Sequence, residues 1–495
     1  MREFTVIINF FGGIISPGML YNILVAATKA NIKYVKFGLR QQLFLHTSNY
    51  NLDTLTAELK RLSVDYQIDI NTFPNIVSAY PAEEIFARKA WLTEGVYKDI
   101  LDMIDFKPLL KINICGSNQS FTPMLTGNIN WIASTQNEHY WHLIIRFPKT
   151  NVIYQWDNLV YTNTIAKLSK RIEEIIFSAK ADFIDNKNSS GPKLFEQINT
   201  EHFILKRAEK PVVFPKFNLP YYEGINPYNN KFWLGIYRRD ELFSIHFLKE
   251  LCVLCTASKL GQICCTPWKS LIVKGITEQD KNQWEQLLQK FNINMRHAAN
   301  ELNFQVEDNS QDSLQLKNYL VKHLNTDDTR TMGICFGIKA KRKSEIFSSI
   351  LIRKRYLIDW YGLKIFPVFD ILRSRDFNPN ERTANIVSSG NLKFMLPEQL
   401  RRTVYKFHAF RSKEQREIKS EKNFSQSASG TRPENLYQCS KCFTVYNEHI
   451  GETENDISPG TLFDHLPESY RCVLCESDKN AFVKVEQENL NYVKP

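Results

Sequence analysis

The chain has 495 residues, of which 43% are hydrophobic and 23% charged, and its net charge is +10. These proportions are ordinary for a soluble globular protein, the length predicts three or more domains, and the absence of any run of about 18 apolar residues excludes a membrane span. Ten cysteines, four of them in two Cys-x-x-Cys pairs, favour a reducing cytoplasm over a disulfide scaffold.

The first twenty residues, "MREFTVIINFFGGIISPGML", predict a strand, a turn and the start of a helix. One arginine precedes an apolar run there, as in a targeting segment, but Gly12, Gly13 and Pro17 interrupt that run and no clean cleavage site follows. Ser16 is placed to cap the helix, with Pro17 in its first turn. The expected apolar face of this helix is Leu20, Leu24 and Ala27.

The next segment predicts a strand from Tyr34 to His46 and a second helix beginning after Asn51 or Asp53. A glycine-rich turn, a helix and a strand that carries an Arg-Gln-Asn run occur in this order in the ferredoxin-like half-domain of sirohaem nitrite and sulfite reductases. The present chain resembles that half-domain, with Arg40, Gln41 and Gln42 at the run, and "FPNIVSAYPAEEIF" resembles a later stretch of the same family. The resemblance implies an α+β fold.

The stretch "LLKINICGSNQSFTPMLTGNINWIAS", residues 109–134, carries the resemblance furthest. In active reductases it reads as a strand followed by Gly-Cys-x-x-x-Cys, whose thiolates hold an iron–sulfur cluster bridged to sirohaem. Gly116 is kept here, but the two cysteine positions are Ser117 and Phe121, and no cysteine precedes Cys115. The resemblance therefore predicts that the chain holds no iron–sulfur cluster, and it argues against sirohaem.

Residues 232–276 repeat the order of strand, helix and strand, and "DKNQWEQLLQKFNI" predicts a following helix. We expect an internal repeat across residues 1–408, in which 311–408 is assigned only because the first copy has a corresponding part. Arg40 and Lys269 lie on equivalent strands and are candidates to line a pocket for a polycarboxylate such as a tetrapyrrole. Four further cysteines fit either a metal site or small buried side chains: Cys252, Cys255, Cys264 and Cys265.

A basic cluster occurs in "KAKRKSEIF" and "LIRKRY", residues 339–347 and 351–356. Such a cluster is one pattern that indicates nucleic-acid binding. No recognisable binding module accompanies it, and solvated strand ends explain it at least as well. We expect neither a nucleic-acid nor a membrane partner.

Residues 409–433 are polar, rich in Ser and Lys and without apolar periodicity, which predicts a flexible linker. As a random coil of about 22 residues it would have a root-mean-square reach of roughly 25 Å. Beyond it, residues 434–488 contain four basic and eleven acidic residues, a net charge of −7, so the rest of the chain carries +17. The sequence thus predicts an acidic module attached to a basic body.

The acidic module opens with Cys439 and Cys442 and closes with Cys472 and Cys475. Each Cys-x-x-Cys places two thiolates on one tight turn, and four thiolates in a tetrahedral array suit zinc or a single iron, between which the spacing does not choose. A zinc ribbon that staples a small domain is the structural alternative.

The residues between the two pairs resemble those of rubredoxin. They are Tyr437, Tyr446, Gly451, "ISPGTLFDHLP", Tyr470 and "KNAFVKV". The resemblance implies one iron ion, Fe²⁺ or Fe³⁺, held by the four cysteines. Phe443 and Glu476 replace the glycines usual after each pair, and Val473 replaces the usual proline, from which we expect a shifted potential and a retained site.

We therefore expect an α+β protein with two repeated reductase-like halves and a small rubredoxin-like iron-binding domain. The expected parts are half-modules at 1–70 and 216–310, α+β modules at 71–215 and 311–408, a linker at 409–433 and the iron domain at 434–488. Two functions remain open. The first is an electron carrier whose body docks a redox partner, such as a nitrite or sulfite reductase or the donor that feeds it, and the second is a cluster-less, tetrapyrrole-binding reductase with the iron domain as internal donor.

Overall fold

A computed structural model describes residues 2–87, 90–341, 346–360, 363–381, 383–428, 435–448, 450–452, 455 and 457–485. The chain divides into two compact units, Met1–Phe407 and His408–Pro495, which we call the body and the C-terminal unit. Within the described ranges, no helix is both long enough and apolar enough to cross a membrane.

The strands follow in chain order. The first eleven are β1 (Glu3–Asn9), β2 (Ile14–Ile15), β3 (Tyr34–Phe37), β4 (Gln42–Ser48), β5 (Gln67–Ile68), β6 (Val77–Ser78), β7 (Ile112–Gly116), β8 (Ile129–Ala133), β9 (Tyr140–Arg146), β10 (Ile153–Tyr161) and β11 (Leu205–Arg207). The rest of the body has β12 (Gly224–Tyr228), β13 (Lys231–Ile236), β14 (Phe243–Ser244), β15 (Ile263–Cys265), β16 (Leu271–Ile276), β17 (Phe304–Val306), β18 (Phe336–Lys339), β19 (Ile350–Trp360), β20 (Leu363–Ser374) and β21 (Ala384–Asn391). The C-terminal unit has β22 (Leu436–Cys439), β23 (Val445–Asn447) and β24 (Phe482–Val485).

The helices also follow in chain order. They are α1 (Pro17–Lys29), α2 (Asn49–Arg61), α3 (Glu94–Asp102), α4 (Ile165–Ser178), α5 (Lys180–Phe183), α6 (Gly191–Phe195), α7 (Ile245–Ala257), α8 (Lys281–Lys290), α9 (Ala299–Leu302), α10 (Gln311–Thr326) and α11 (Leu396–Ala428).

The start of the chain folds as its sequence predicts, into strand, turn and helix. The Ser16 hydroxyl accepts a hydrogen bond from the Met19 amide at 3.2 Å and so caps α1. The three residues of the predicted apolar face are buried. The strand expected from Tyr34 to His46 is instead a hairpin of β3 and β4, because the Gly38 amide bonds the Gln42 carbonyl at 2.9 Å and Gln41 adopts a φ of 59°, which turns the chain back.

Two five-stranded sheets form the pair of half-modules, and each takes one strand from the other copy. The sheet order is β14-β3-β4-β1-β5 in the first and β12-β13-β16-β15-β2 in the second. Thus β14 of the second copy pairs with β3, and β2 of the first copy pairs with β15. One buried apolar cluster runs through both copies and includes α1 and α7, so the half-modules share a core.

The six-stranded sheet of the body, β6 to β11, and its remaining five-stranded sheet, β17 to β21, repeat one topology. In the first, β6, β7 and β8 are parallel, and β9 and β10 follow antiparallel. In the second, β17, β18 and β19 are parallel, and β20 and β21 follow antiparallel. The mixed helix-and-sheet fold class with two repeated halves and a small C-terminal domain is therefore confirmed.

The expectation of a coil across 409–433 needs correction. Helix α11 continues through residue 428, while 429–434 lie outside the described residues. The segment is rich in Lys, Glu, Gln and Arg, which are strong helix formers, and after Pro397 it has no glycine or proline before Gly430. Lack of apolar periodicity therefore did not mean lack of helix.

Part of the basic cluster forms ion pairs within the sheet β17 to β21. Arg353 and Arg355 on β19 both bind the buried carboxylate of Asp370 on β20. This pairing holds the pKa of Asp370 well below its usual range. Residues 342–345 of the same cluster lie outside the described residues. The absence of a nucleic-acid partner stays a prediction.

Candidate metal centre

The C-terminal unit is a three-stranded sheet of order β23-β22-β24 packed on an aromatic core. Tyr437 stacks on Phe463 with ring centroids 4.1 Å apart, and Tyr446, Tyr470 and Phe482 surround Phe463. The Tyr446 hydroxyl donates to the Thr461 carbonyl at 2.8 Å, which satisfies its polar end. This core anchors β22, whose last residue is Cys439.

The two Cys-x-x-Cys turns have matching backbone geometry. The Cys439 amide bonds the Thr444 carbonyl at 2.8 Å, and the Cys472 amide bonds the Ser477 carbonyl at 2.9 Å. Phe443 has a φ of 63° and Glu476 a φ of 56°, so both occupy the left-handed conformation that glycine adopts at least cost. Phe443 and Glu476, which replace the glycines usual in rubredoxins, therefore adopt the turn conformation that those glycines would adopt. As residues with side chains they do so with local backbone strain.

The four sulfur atoms converge on one point and all lie within 4.8 Å of one another. The Sγ atoms of Cys439 and Cys475 are 3.7 Å apart, and those of Cys442 and Cys472 are 3.4 Å apart. A tetrahedral metal with sulfur at about 2.3 Å separates its ligands by about 3.8 Å. The four cysteines therefore fit a single metal ion held by four thiolate ligands, as the sequence predicts.

The second cysteine of each pair, Cys442 or Cys475, is the more exposed one, and we call these two the outer cysteines. The environment of their sulfurs favours ionisation. Hydrogen bonds from the Ser477 hydroxyl and amide lower the pKa of Cys475 to about 6. Burial opposes ionisation of Cys442, but bonds from the hydroxyl and amide of Thr444 leave its pKa lowered. Burial raises the pKa of Cys472 to about 11, so this thiol ionises most readily when a cation neutralises it.

One side of the centre reaches the surface. Cys475 is exposed and Cys442 is half-buried, while Cys439 and Cys472 are buried. Three apolar residues next to Cys442 and Cys475 in sequence or close by are exposed: Phe443, Val473 and Leu474. This face offers a short path between the sulfurs and the surface of another protein.

In the body, the positions that the reductase resemblance assigns to cluster thiolates hold no thiol. The Ser117 hydroxyl donates to the Ala133 carbonyl at 3.2 Å. Phe121 is fully buried, and its ring lies 4.9 Å from that of Phe86 and 5.5 Å from that of Tyr222. The Trp268 indole donates to the Phe121 carbonyl at 2.8 Å. Aromatic side chains therefore fill this place, and we call Phe86, Phe121, Tyr222 and Trp268 the aromatic cluster.

Arg40 and Lys269, the candidate tetrapyrrole ligands, are both buried and directed at protein acceptors. Arg40 donates to the Asn75 and Ile112 carbonyls at 2.6 and 3.0 Å. Lys269 lies 2.9 Å from the Glu241 carboxylate and 3.4 Å from that of Asp308. Burial opposes the charge of Lys269, yet these carboxylates leave its pKa raised. Binding of a tetrapyrrole by this pair stays a prediction.

The hairpins also show that these two residues are not equivalent. The Thr266 amide bonds the Ser270 carbonyl at 3.0 Å, as Gly38 bonds Gln42, and Lys269 has a φ of 54°, as Gln41 has 59°. Lys269 thus corresponds to Gln41, and the tryptophan before it corresponds to Arg40.

The other body cysteines that the sequence singled out are all buried. Cys264 belongs to the apolar cluster that includes the six-stranded sheet, and Cys265 to that of the half-modules, so the two face opposite sides of β15, as neighbouring residues of a strand do. Burial raises the pKa of Cys252 to about 12. Among the described residues, the only group of three or more convergent metal-ligating side chains is the C-terminal tetrathiolate. Small buried side chains are therefore the better account of Cys252, Cys255, Cys264 and Cys265.

Two polar residues of the centre escaped sequence reasoning. The Thr444 hydroxyl lies 3.1 Å from the Cys442 sulfur, and the Ser477 hydroxyl lies 3.1 Å from the Cys475 sulfur. The signal was present, because each stands two residues after the second cysteine of its pair, in "CFT" and "CES".

The comparisons with known proteins concern the two units separately. The rubredoxin family model matches residues 436–482. Probable Rubredoxin-2 of Methanocaldococcus jannaschii is 48% identical over 50 residues, which are 10% of this chain and 89% of that protein. Rubredoxin 4 of Rhodococcus sp. is 43% identical over 53 residues, 11% of this chain and 88% of that protein.

A solved structure also matches the fold of most of the chain. The structure of Mycobacterium tuberculosis NirA protein matches with a TM-score of 0.62 and 14% sequence identity, covering 82% of this chain and 81% of that chain. At this identity the match concerns the fold alone. It agrees with the reductase-like body that the sequence predicts.

Proposed function

Because the chain belongs to the rubredoxin family through residues 436–482, we propose that it is an electron-transfer protein whose C-terminal unit carries one electron at a time on a tetrathiolate iron. The observation that supports this most is the convergence of four cysteine sulfurs within 4.8 Å. We place the protein in the cytoplasm, where its thiols stay reduced.

Bound iron would supply a one-electron couple between Fe³⁺ and Fe²⁺. Cys439 and Cys472 would hold the ion from the buried side and keep water from it. Cys442 and Cys475 would hold it from the exposed side and pass the electron outward. The apolar residues around this pair, Leu474 among them, would exclude water from a docked partner surface.

For the body we propose a docking scaffold for a redox partner. Its fold is that of the NirA protein, and the partner would be a nitrite or sulfite reductase or the protein that feeds it electrons. Support comes from the aromatic cluster, since Phe121 fills a cluster-ligand position and phenylalanine has no donor atom for iron. The body would then carry no iron–sulfur cluster and no sirohaem, and would position the partner without reacting itself.

The test is transfer to a purified partner. The full chain, reduced by one electron and freed of excess reductant, should regain its oxidised visible absorption when an oxidised nitrite or sulfite reductase is added. If neither reductase and neither electron donor reoxidises the reduced chain, the proposal that these proteins are its redox partners is wrong.

A second candidate function is an oxidoreductase that binds a tetrapyrrole without the cluster and receives electrons from the C-terminal unit. The NirA-like fold across 82% of the chain favours it. Acid–acetone extraction separates the two functions. A stoichiometric tetrapyrrole in the extract, together with nitrite or sulfite reduction by the isolated chain, would establish the second function, and an extract free of pigment supports the first.

A further inference from the structure

The two outer sulfurs of the metal centre each have a hydroxyl beside them. The Thr444 Oγ1 is 3.1 Å from the Cys442 Sγ, and the Ser477 Oγ is 3.1 Å from the Cys475 Sγ. These contacts come from opposite turns of matching geometry, so they form a symmetric pair. The backbone amides of the same two residues also donate to these sulfurs.

The direction of these hydrogen bonds follows from the chemistry of a metal-bound thiolate. Such a sulfur carries no proton and can only accept, so each hydroxyl must donate. A Ser or Thr hydroxyl has one O–H, and here the geometry commits it to sulfur. The interaction is a hydrogen bond to a charged acceptor, the stronger class.

The strength of these bonds depends on the redox state. Four thiolates with a ferric ion carry a net charge of −1, and with a ferrous ion −2. The additional electron increases the negative charge on the sulfurs, so a donor at 3.1 Å stabilises the reduced state more than the oxidised one. A donor on each outer sulfur therefore shifts the couple toward reduction.

From this geometry we propose that Thr444 and Ser477 are positioning residues that raise the reduction potential of the iron centre through paired O–H···S hydrogen bonds. This inference rests on the proposed function, because it needs iron in the four-cysteine site.

The experiment is a redox titration of the full chain with dithionite and mediator dyes. Thr444→Val and Ser477→Ala each remove one hydroxyl and keep the backbone amide. Each should shift the one-electron equilibrium about threefold to tenfold toward the oxidised state, where tenfold corresponds to 59 mV. The double variant should show the sum of the two shifts.

Matched controls separate the hydroxyl from the packing. Thr444→Ser and Ser477→Thr keep the O–H and should titrate near the wild type. Thr461→Val removes a hydroxyl that donates to the Ser458 carbonyl in the same unit and should leave the potential unchanged. If either hydroxyl-free variant fails to load iron, Thr444→Ala and Ser477→Gly replace it.

The outcomes distinguish this inference from the proposed function. Wild-type protein that is red and reversible, with hydroxyl-free variants at the wild-type potential, overturns the inference and leaves electron transfer standing. A shift of equal size in Thr461→Val also overturns it. Wild-type protein without iron overturns the proposed function itself.

Discussion

At the residue scale, the ten cysteines fall into two structural classes. Four converge on one point, and two of them border solvent, whereas the six in the body are buried in apolar surroundings. Burial raises the pKa of Cys335, for example, to about 12. Among the described residues, none of the six converges with two other metal-ligating side chains, so each packs as a small apolar group.

The first prediction separates these two classes. Cys439→Ala should lower the iron content from one per chain to near zero, because three thiolates leave the ion open to water and to loss. Cys115→Ala, an equally buried change in the body, should keep one iron per chain. Metal analysis of both purified variants provides the check, and loss of iron in Cys115→Ala would mean that the body holds metal of its own.

A buried lysine gives the second prediction. Lys317 on α10 is 1% exposed and donates to the Tyr237 hydroxyl, and burial lowers its pKa to about 8 from 10.5. Between these pH values the unfolded chain holds a proton that the folded chain has released. The free energy of unfolding should therefore rise with pH across this window, by up to about 3 kcal/mol.

Lys317→Met tests this pH dependence. The variant should be more stable than the wild type near pH 7, and its advantage should shrink as the pH approaches 10.5. Urea unfolding of both proteins at several pH values measures the difference, with Lys322→Met, an exposed change on the same helix, as the control. An advantage that stays constant with pH would contradict the account.

At the scale of elements, the loop between β7 and β8 carries the chief departure of the body from active reductases. Its Phe121 is at the centre of the aromatic cluster, and the Trp268 indole from the second copy bonds its carbonyl. The contact joins the two copies of the repeat. Where the resemblance predicts cluster ligands, this chain therefore has packing.

The third prediction follows from that packing. Phe121→Ala should destabilise the body by about 3–5 kcal/mol, the usual cost of emptying a buried aromatic site. Phe394→Ala, at a side chain that is 72% exposed, should change stability by less than about 0.5 kcal/mol. Chemical unfolding followed by tryptophan fluorescence gives both values. A cost for Phe121→Ala as small as that of the control would show that the cluster is loosely packed.

The sequence predicts local patterns of this fold better than its long-range pairings. Capping by Ser16 and the four-cysteine site follow from residues close in sequence or from a family motif. The exchange of β2 and β14 between half-modules does not, because each strand has two residues and its partner is far along the chain. The hairpin at Gly38 was missed because Gln41 adopts a left-handed conformation that few sequences announce. The continuation of α11 was missed because polar helix formers resemble a linker in composition.

At the scale of the molecule, the net charge of the acidic module is opposite in sign to that of the rest of the chain. The segment 434–488 carries −7 and the remainder +17. Opposite charges act mainly on the rate of encounter between proteins, and salt screens them as the Debye length falls from about 30 Å at 0.01 M to about 8 Å at 0.15 M. We expect the rate of electron transfer from the C-terminal unit to the partner protein to fall as the ionic strength rises from about 0.01 M to about 0.15 M.

The fourth prediction concerns the covalent connection. The 50 residues that match Probable Rubredoxin-2 make up 89% of that protein, so residues 429–495, which contain the match at 436–482, should fold when expressed separately. Mixed at submicromolar concentration with residues 1–428, they should reduce the partner more slowly than the intact chain does, because a covalent connection supplies an effective concentration near millimolar. Equal rates at equal dilution would show that the body has no docking role.

The central claim is that the chain carries one electron on a single tetrathiolate iron, and the visible spectrum of the purified full-length protein tests it most directly. Protein from iron-replete cells should be red, contain one iron and no acid-labile sulfide per chain, and bleach reversibly on addition of one electron. Colourless protein that contains only zinc would contradict the claim, since zinc has no redox chemistry.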